Sequence, residues 1–152
     1  MSTVKVEEIQ HPSNSNNAVS IASDSSVALK HSGNQKLVTS STGVTITGAC
    51  SVDAINDTVF TITDASSVAL DPDNGMVQTW TLGANRTATD SLTTGQSMLL
   101  VITASSSNYT LTWPTMTWSG GSAPTLGGAT PTAIVLWKIS STLYGATVGD
   151  LG

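Results

Sequence analysis

The chain has 152 residues, of which 39% are hydrophobic and only 10% charged, with a formal net charge of −5. An average soluble domain has about 25% charged residues; here 22 Ser and 24 Thr take their place. This excludes a helical bundle, which needs Glu, Lys and Leu, and a disordered chain, which has few β-branched residues. Five basic residues against ten acidic ones also exclude the clustered Lys/Arg patch that neutralises nucleic-acid phosphates.

Thr and Val suit a pleated, half-buried surface, so the composition predicts an all-β fold. The N-terminus, from Met1 to Glu8, lacks the apolar core of a signal peptide. The longest apolar run is Met98 to Ile102, too short for a membrane span of about 20 residues. No membrane partner is expected.

In chain order, the first 59 residues hold no aromatic side chain. Their apolar residues are small or aliphatic. Ser20-Ile21-Ala22, Val27-Ala28-Leu29 and the strict alternation of Gly43 to Gly48 read as short strands. Ser32-Gly33-Asn34 and Ser40 to Gly43 read as turns. Aromatic residues bury about 150–250 Å² each and dominate small cores. A segment without them has little to build its own core from, and it packs against copies of itself or against another protein. We therefore expect residues 1–52 to be an extended or intertwined β segment for docking and trimerisation. Val4, Val6, Ile9, Leu37, Val44 and Ile46 are the residues expected to bury there.

Residues 53–152 carry all seven aromatic residues, Phe60, Trp80, Tyr109, Trp113, Trp118, Trp137 and Tyr144. Thr58 to Thr63, Ser67 to Asp71 and Met76 to Leu82 read as strands, with a tight turn at Asp71-Pro72-Asp73-Asn74-Gly75. A strand pair is expected across Thr93-Thr94-Gly95. Ser97 to Ala104 is the most apolar strand and is expected at the centre. Tyr109 to Trp113 alternates, Pro114 to Pro131 is a long loop, and Ala133 to Ile139 with Thr142 to Val148 close the chain across Ser140-Ser141. This spacing predicts an antiparallel β-sandwich or jelly-roll domain. Ser25 to Leu29 is echoed by Ser66 to Leu70, which reads as shared strand composition.

Chemistry is sparse. His11 and His31 lie in the N-terminal third without a nucleophile elbow, and Asp71 and Asp73 sit in a turn. Cys50 stands between small residues and reads as a small buried hydrophobe; it can make no internal disulfide. No catalytic residue, metal ligand or cofactor site is expected. Trp80, Trp113 and Trp137 read as core. Trp118, beside the Gly-rich loop, is the expected exposed contact for a partner or glycan.

Two stretches carry a resemblance. Val4 to His11, followed by Gly33-Asn34-Gln35-Lys36-Leu37-Val38-Thr39-Ser40-Ser41-Thr42-Gly43-Val44-Thr45-Ile46-Thr47-Gly48, resembles segments of tailed-bacteriophage fibre proteins with the pattern G-N-x-K-L-x-T-x-x-x-G-V-x-I-x-G. Asp71 to Gly75, Trp80 to Thr87, the Trp-Pro loop, Leu136 to Ile139 and Leu143 to Ala146 resemble a β-rich module of phage virion structural proteins. The resemblance implies a non-enzymatic homotrimer on the virion surface. Such modules usually sit in longer fibres, and this sequence has neither a long shaft nor a depolymerase cleft. That favours a capsid decoration (cement) protein or short head fibre bound to the major capsid protein or another virion protein. The alternative is a short tail fibre whose Trp118 loop contacts host surface glycan.

Overall fold

Strands make up almost all of the regular structure, as a Thr- and Val-rich chain requires. The computed structural model describes residues 7–10, 16–106 and 108–152. The chain divides into two compact units, Met1–Ile55 and Asn56–Gly152. The boundary read from the sequence, between residues 52 and 53, lies just before the observed one.

In the first unit β1 (Glu8–Gln10), β2 (Asn17–Ile21), β3 (Val27–His31), β4 (Asn34–Ser40) and β5 (Gly43–Ile46) form one sheet, in chain order. All neighbours are antiparallel. The connection at Ser32-Gly33 has positive φ at both positions, 51° and 80°, the backbone that matches hairpin twist. Among the described residues, Ala28 is the one buried side chain of this unit.

The second unit contains β6 (Val59–Thr61), β7 (Ser67–Leu70), β8 (Val77–Leu82), β9 (Arg86–Asp90), β10 (Ser97–Ala104), β11 (Leu111–Thr112), β12 (Thr117–Trp118), β13 (Thr132–Ile139) and β14 (Thr142–Asp150). They form a six-stranded sheet, ordered β12-β14-β13-β10-β8-β6, and a three-stranded sheet, ordered β11-β9-β7. From β6 to β11 the chain changes sheet after every strand. Neighbours within a sheet are therefore two strands apart in sequence, and they run parallel: β6, β8 and β10 in one sheet, β7, β9 and β11 in the other. Residues 59–112 are thus a short two-sheet winding, in which Val59 lies beside Val77 and Val77 beside Leu99. The antiparallel part is β13, which pairs both β10 and β14.

The all-β fold is as expected, but its pairing differs from the antiparallel reading. β9 and β10, expected to pair across Thr93-Thr94-Gly95, belong to different sheets. Turn chemistry marks where a strand stops; it does not say which sheet receives the next one. The β13–β14 hairpin across Ser140-Ser141 forms as expected.

The core lies between the two sheets. Leu70 and Ala88 come from the small sheet; Trp80, Leu82, Met98, Leu100, Ile134 and Leu136 come from the large one. β10 is central, between β8 and β13, and it buries every second side chain: Met98, Leu100, Ile102 and Ala104. Burying a Leu, Ile or Met side chain stabilises by about 1.5–3 kcal/mol. Each unit contains the run Ser-Ser-Val-Ala-Leu, as Ser25–Leu29 and Ser66–Leu70. In β7 the final leucine, Leu70, is 0% exposed; in β3 its counterpart, Leu29, is 44% exposed. β3 has antiparallel neighbours on both sides, whereas β7 has one parallel neighbour. The echo is one of composition and not of architecture.

The turn before β8 is fastened by a buried glutamine. Pro72–Asn74 form a single 3-10 turn, capped by Asp71, whose Oδ1 accepts from the Asp73 N–H at 3.1 Å. The fully buried Gln78 donates Nε2–H to the carbonyls of Asp71, at 2.6 Å, and Gly75, at 2.9 Å. Gly75 has φ 151°, and a Cβ there would stand 2.5 Å from the Thr58 carbonyl oxygen. Gly75→Ala should therefore destabilise the chain by about 1–3 kcal/mol, through strained φ and a backbone clash. Urea unfolding should show a lower midpoint with an unchanged slope.

Candidate interaction surface

Side chains directly opposite on neighbouring strands share a face, so register decides which residues meet. In the first unit Ile9 stands opposite Val19, Val19 opposite Leu29, Leu29 opposite Leu37 and Leu37 opposite Ile46. Ile21 pairs with Val27, and Thr39 with Val44, on the same side. One face of the sheet therefore collects nearly every large apolar residue of the unit. Within β1 to β5 no Asp, Glu, Lys or Arg of the paired positions shares that side; Glu7, two residues before Ile9, stands at its border, its carbonyl accepting from the Ile21 N–H at 2.8 Å. Ile9, Ile21, Leu29, Val44 and Ile46 are each between 42 and 58% exposed. By strand spacing and rise the face covers on the order of 300–400 Å², about the largest apolar patch an ordinary monomer shows.

Four of the residues expected to dock or trimerise, Ile9, Leu37, Val44 and Ile46, lie together on this face. Val4 and Val6 lie outside the described residues. Val19, Ile21, Val27 and Leu29 complete the face. They were not singled out from the sequence, although the alternation of residues 19–21 and 27–29 carries the signal.

The tryptophans are distributed differently from expectation. Trp80 is in the core, 1% exposed. Trp113 is half-buried against the core. Trp137 is not a core residue: it stands on the far side of the large sheet, stacked on Tyr144 at 5.8 Å and 11°. Trp118 lies in β12, half-buried against the core, with its ring edge-on to Trp113 at 4.9 Å. Its indole lies against Gly145, where a Cβ would come within 2.8 Å of the ring and 2.5 Å of the Met116 methyl. Cys50, expected to be buried, is exposed: it follows the last strand of a unit that has no core to receive it. Tyr109, Leu111, Trp113 and Pro124 line a cleft of about 290 Å³ in the second unit. The cleft is not legible in the sequence, because its walls, Tyr109 to Trp113 around β11 and the loop 123–126, meet only in the fold.

The carboxylates of the second unit hold corners together. Asp64, between β6 and β7, accepts from Trp80 Nε1 at 2.9 Å, Gly83 N at 3.1 Å and Arg86 Nε at 2.9 Å, and it pairs with the Arg86 Nη2. It staples the first winding to the second. Asp73 accepts from Gln96 Nε2 at 2.8 Å and joins the corner before β8 to the corner before β10. Asp90 pairs with Lys138 at 2.5 Å, and Asp150 accepts from Thr132 at 2.8 Å. Among the described residues no three His, Cys, Asp or Glu gather as metal ligands, and no helix is long and apolar enough to cross a membrane. Arg86 and Lys138 are both held in ion pairs.

Comparison with family models, curated proteins and solved structures gives no match.

The Arg86 guanidinium, helped by the Trp80 and Gly83 N–H groups, holds the Asp64 carboxyl at about 2, below its ordinary 3.8, against the opposing effect of desolvation. A depressed acid stabilises the fold fully above its unfolded value and loses that contribution as pH falls through the folded one. Asp64→Asn should cost about 1–2 kcal/mol at neutral pH, since solvent still reaches the pair. The gap between variant and native chain should close as pH falls from 4 to 2, as read by urea midpoints across that range.

Proposed function

We propose that this chain is a non-enzymatic structural protein of a tailed-bacteriophage virion, a homotrimer that decorates the capsid as a cement protein or short head fibre. The observation that carries the reading is the uncharged apolar face of the N-terminal sheet, left uncovered by its own unit. Apolar area stabilises by about 25 cal/mol per Å² when it leaves water. A face of a few hundred Å² is less than the roughly 800 Å² each partner gives to a standard interface. Three copies sharing one core, together with a virion surface beneath them, gain more than a single pair does. The resemblance of residues 33–48 to fibre segments supports the threefold choice, and the commitment of the carboxylates to structure supports a role without turnover.

Leu29 stands in the middle strand of that face, so Leu29→Asp should divide the assembled mass by three while leaving the melting of the second unit intact. Light scattering at micromolar concentration, beside circular dichroism, reads both. On particles, imaging should find copies in the hundreds over the shell. A handful confined to the tail would refute decoration.

The cleft favours a second reading, a short tail fibre that contacts host glycan. Tyr109 and Trp113 present aromatic surface, as sugar-binding clefts do, and Trp118 supports Trp113 from behind. On that reading Tyr109→Ala abolishes binding to host surface polysaccharide, as measured by glycan pull-down, while circular dichroism shows the fold retained with a lower melting temperature, since Tyr109 also packs against the core.

A further inference from the structure

The large sheet of the second unit carries an apolar row on its outer side, flanked there by positions held by Thr and Ser such as Thr79, Thr81, Thr103 and Ser97. Its inner side faces the core. On its outer side one register row runs Val59, Val77, Leu99, Val135 and Ala146 across five strands. The next row holds Thr61, Thr79 and Val101. Beyond the first row, on the other side, lies the stacked pair Trp137 and Tyr144. An outer face of a two-sheet domain is ordinarily polar, in alternation with the buried side. Here no row carries an Asp, Glu, Lys or Arg; Lys138 points to the opposite side, where it reaches Asp90. Val59 and Ile139, at the margins, are 62 and 58% exposed.

We infer that this outer face is a second self-association surface, covered by the same face of a second copy. Three observations select that occupant. The chain carries a net charge of −5, so copies repel wherever their acids meet. This face has none, and it lets two copies approach without placing like charges opposite each other. A partner rich in Lys or Arg would find nothing on it to pair with. Its extent is on the order of 500 Å² by strand spacing and rise. Allowing for side-chain relief, this approaches the roughly 800 Å² per partner of a standard interface. Trp137 and Tyr144 form a rigid aromatic anchor of the kind that dominates interface energy. Two sheets meeting face to face, about 10 Å apart, is the ordinary packing of such surfaces.

The inference uses the second unit alone and does not depend on the trimer reading. If both hold, the first face builds trimers and the second joins one trimer to the next, and neighbouring copies then bind a shell cooperatively.

The test uses the full-length chain. Val135 is central in the row, and Val59 lies at its edge. Val135→Lys should halve the mass found by sedimentation at tens of micromolar, Val135→Glu should do the same, and an equimolar mixture of the two should restore the native mass. Val59→Lys should give the same direction of change, and it serves if the central variants fail to melt cooperatively. Leu29→Asp keeps the pairing and loses only the threefold contact, so failure of one reading is told apart from failure of the other. A folded Val135→Lys or Val59→Lys chain with native mass would overturn the inference. So would a mixture that does not reassociate.

Discussion

From β6 to β11 each strand hands the chain to the opposite sheet, and the second unit is organised by what that alternation demands. Every winding must turn two corners, and each corner ends pairing in one sheet before pairing begins in the other. Few backbone hydrogen bonds are made at a corner, such as Gly75 N–H to Pro72 O at 3.0 Å and Ser91 N–H to Leu70 O at 3.2 Å, and side chains add to them. Asp64 reaches three residues of the next winding, Gln78 gathers two carbonyls of the turn before β8, and Asp73 with Gln96 links one corner to another. These contacts explain why a chain with so few ionisable residues uses them where strands end rather than on its faces.

The two units solve burial in opposite ways. The winding encloses a core because its two sheets face each other; a five-stranded meander has no second layer. The leucine that ends Ser-Ser-Val-Ala-Leu shows the difference: in β7 it is sealed, and in β3 it stands open. Its propensity and neighbours in sequence are the same in both places. The strand neighbours of the two leucines differ, and so does the layer above them: a second sheet covers Leu70, and no second sheet of its own unit covers Leu29.

Much of this was legible in the sequence. The absence of aromatic residues before Phe60 marked the unit that lacks a core, and the alternation of Val44 and Ile46 marked its open face. The apolar run of β10 marked the centre of the large sheet. Pairing direction was not legible, because an alternating strand looks the same beside a parallel or an antiparallel neighbour. Trp118 was read as exposed from the glycines after it, yet Gly145, far along the chain, opens the space in which its ring lies. Trp137 lies in a β-patterned segment and so reads as core; which side of β13 faces the small sheet is set by register with β10, and no local pattern states it.

A winding of parallel strands has a growing end. β10 closes the last complete turn, and its far edge repeats the edge that β8 offers to β10, so another strand of any origin fits there as well. The chain answers with the β13–β14 hairpin, which takes that edge with a strand running the other way. At the opposite end β6 is only three residues long, and the small sheet ends in β11, of two residues. Short or reversed terminal strands give a poor template for addition. The hairpin therefore sets the length of the winding: a stack of parallel strands that could otherwise take another turn is ended by a strand of the opposite direction.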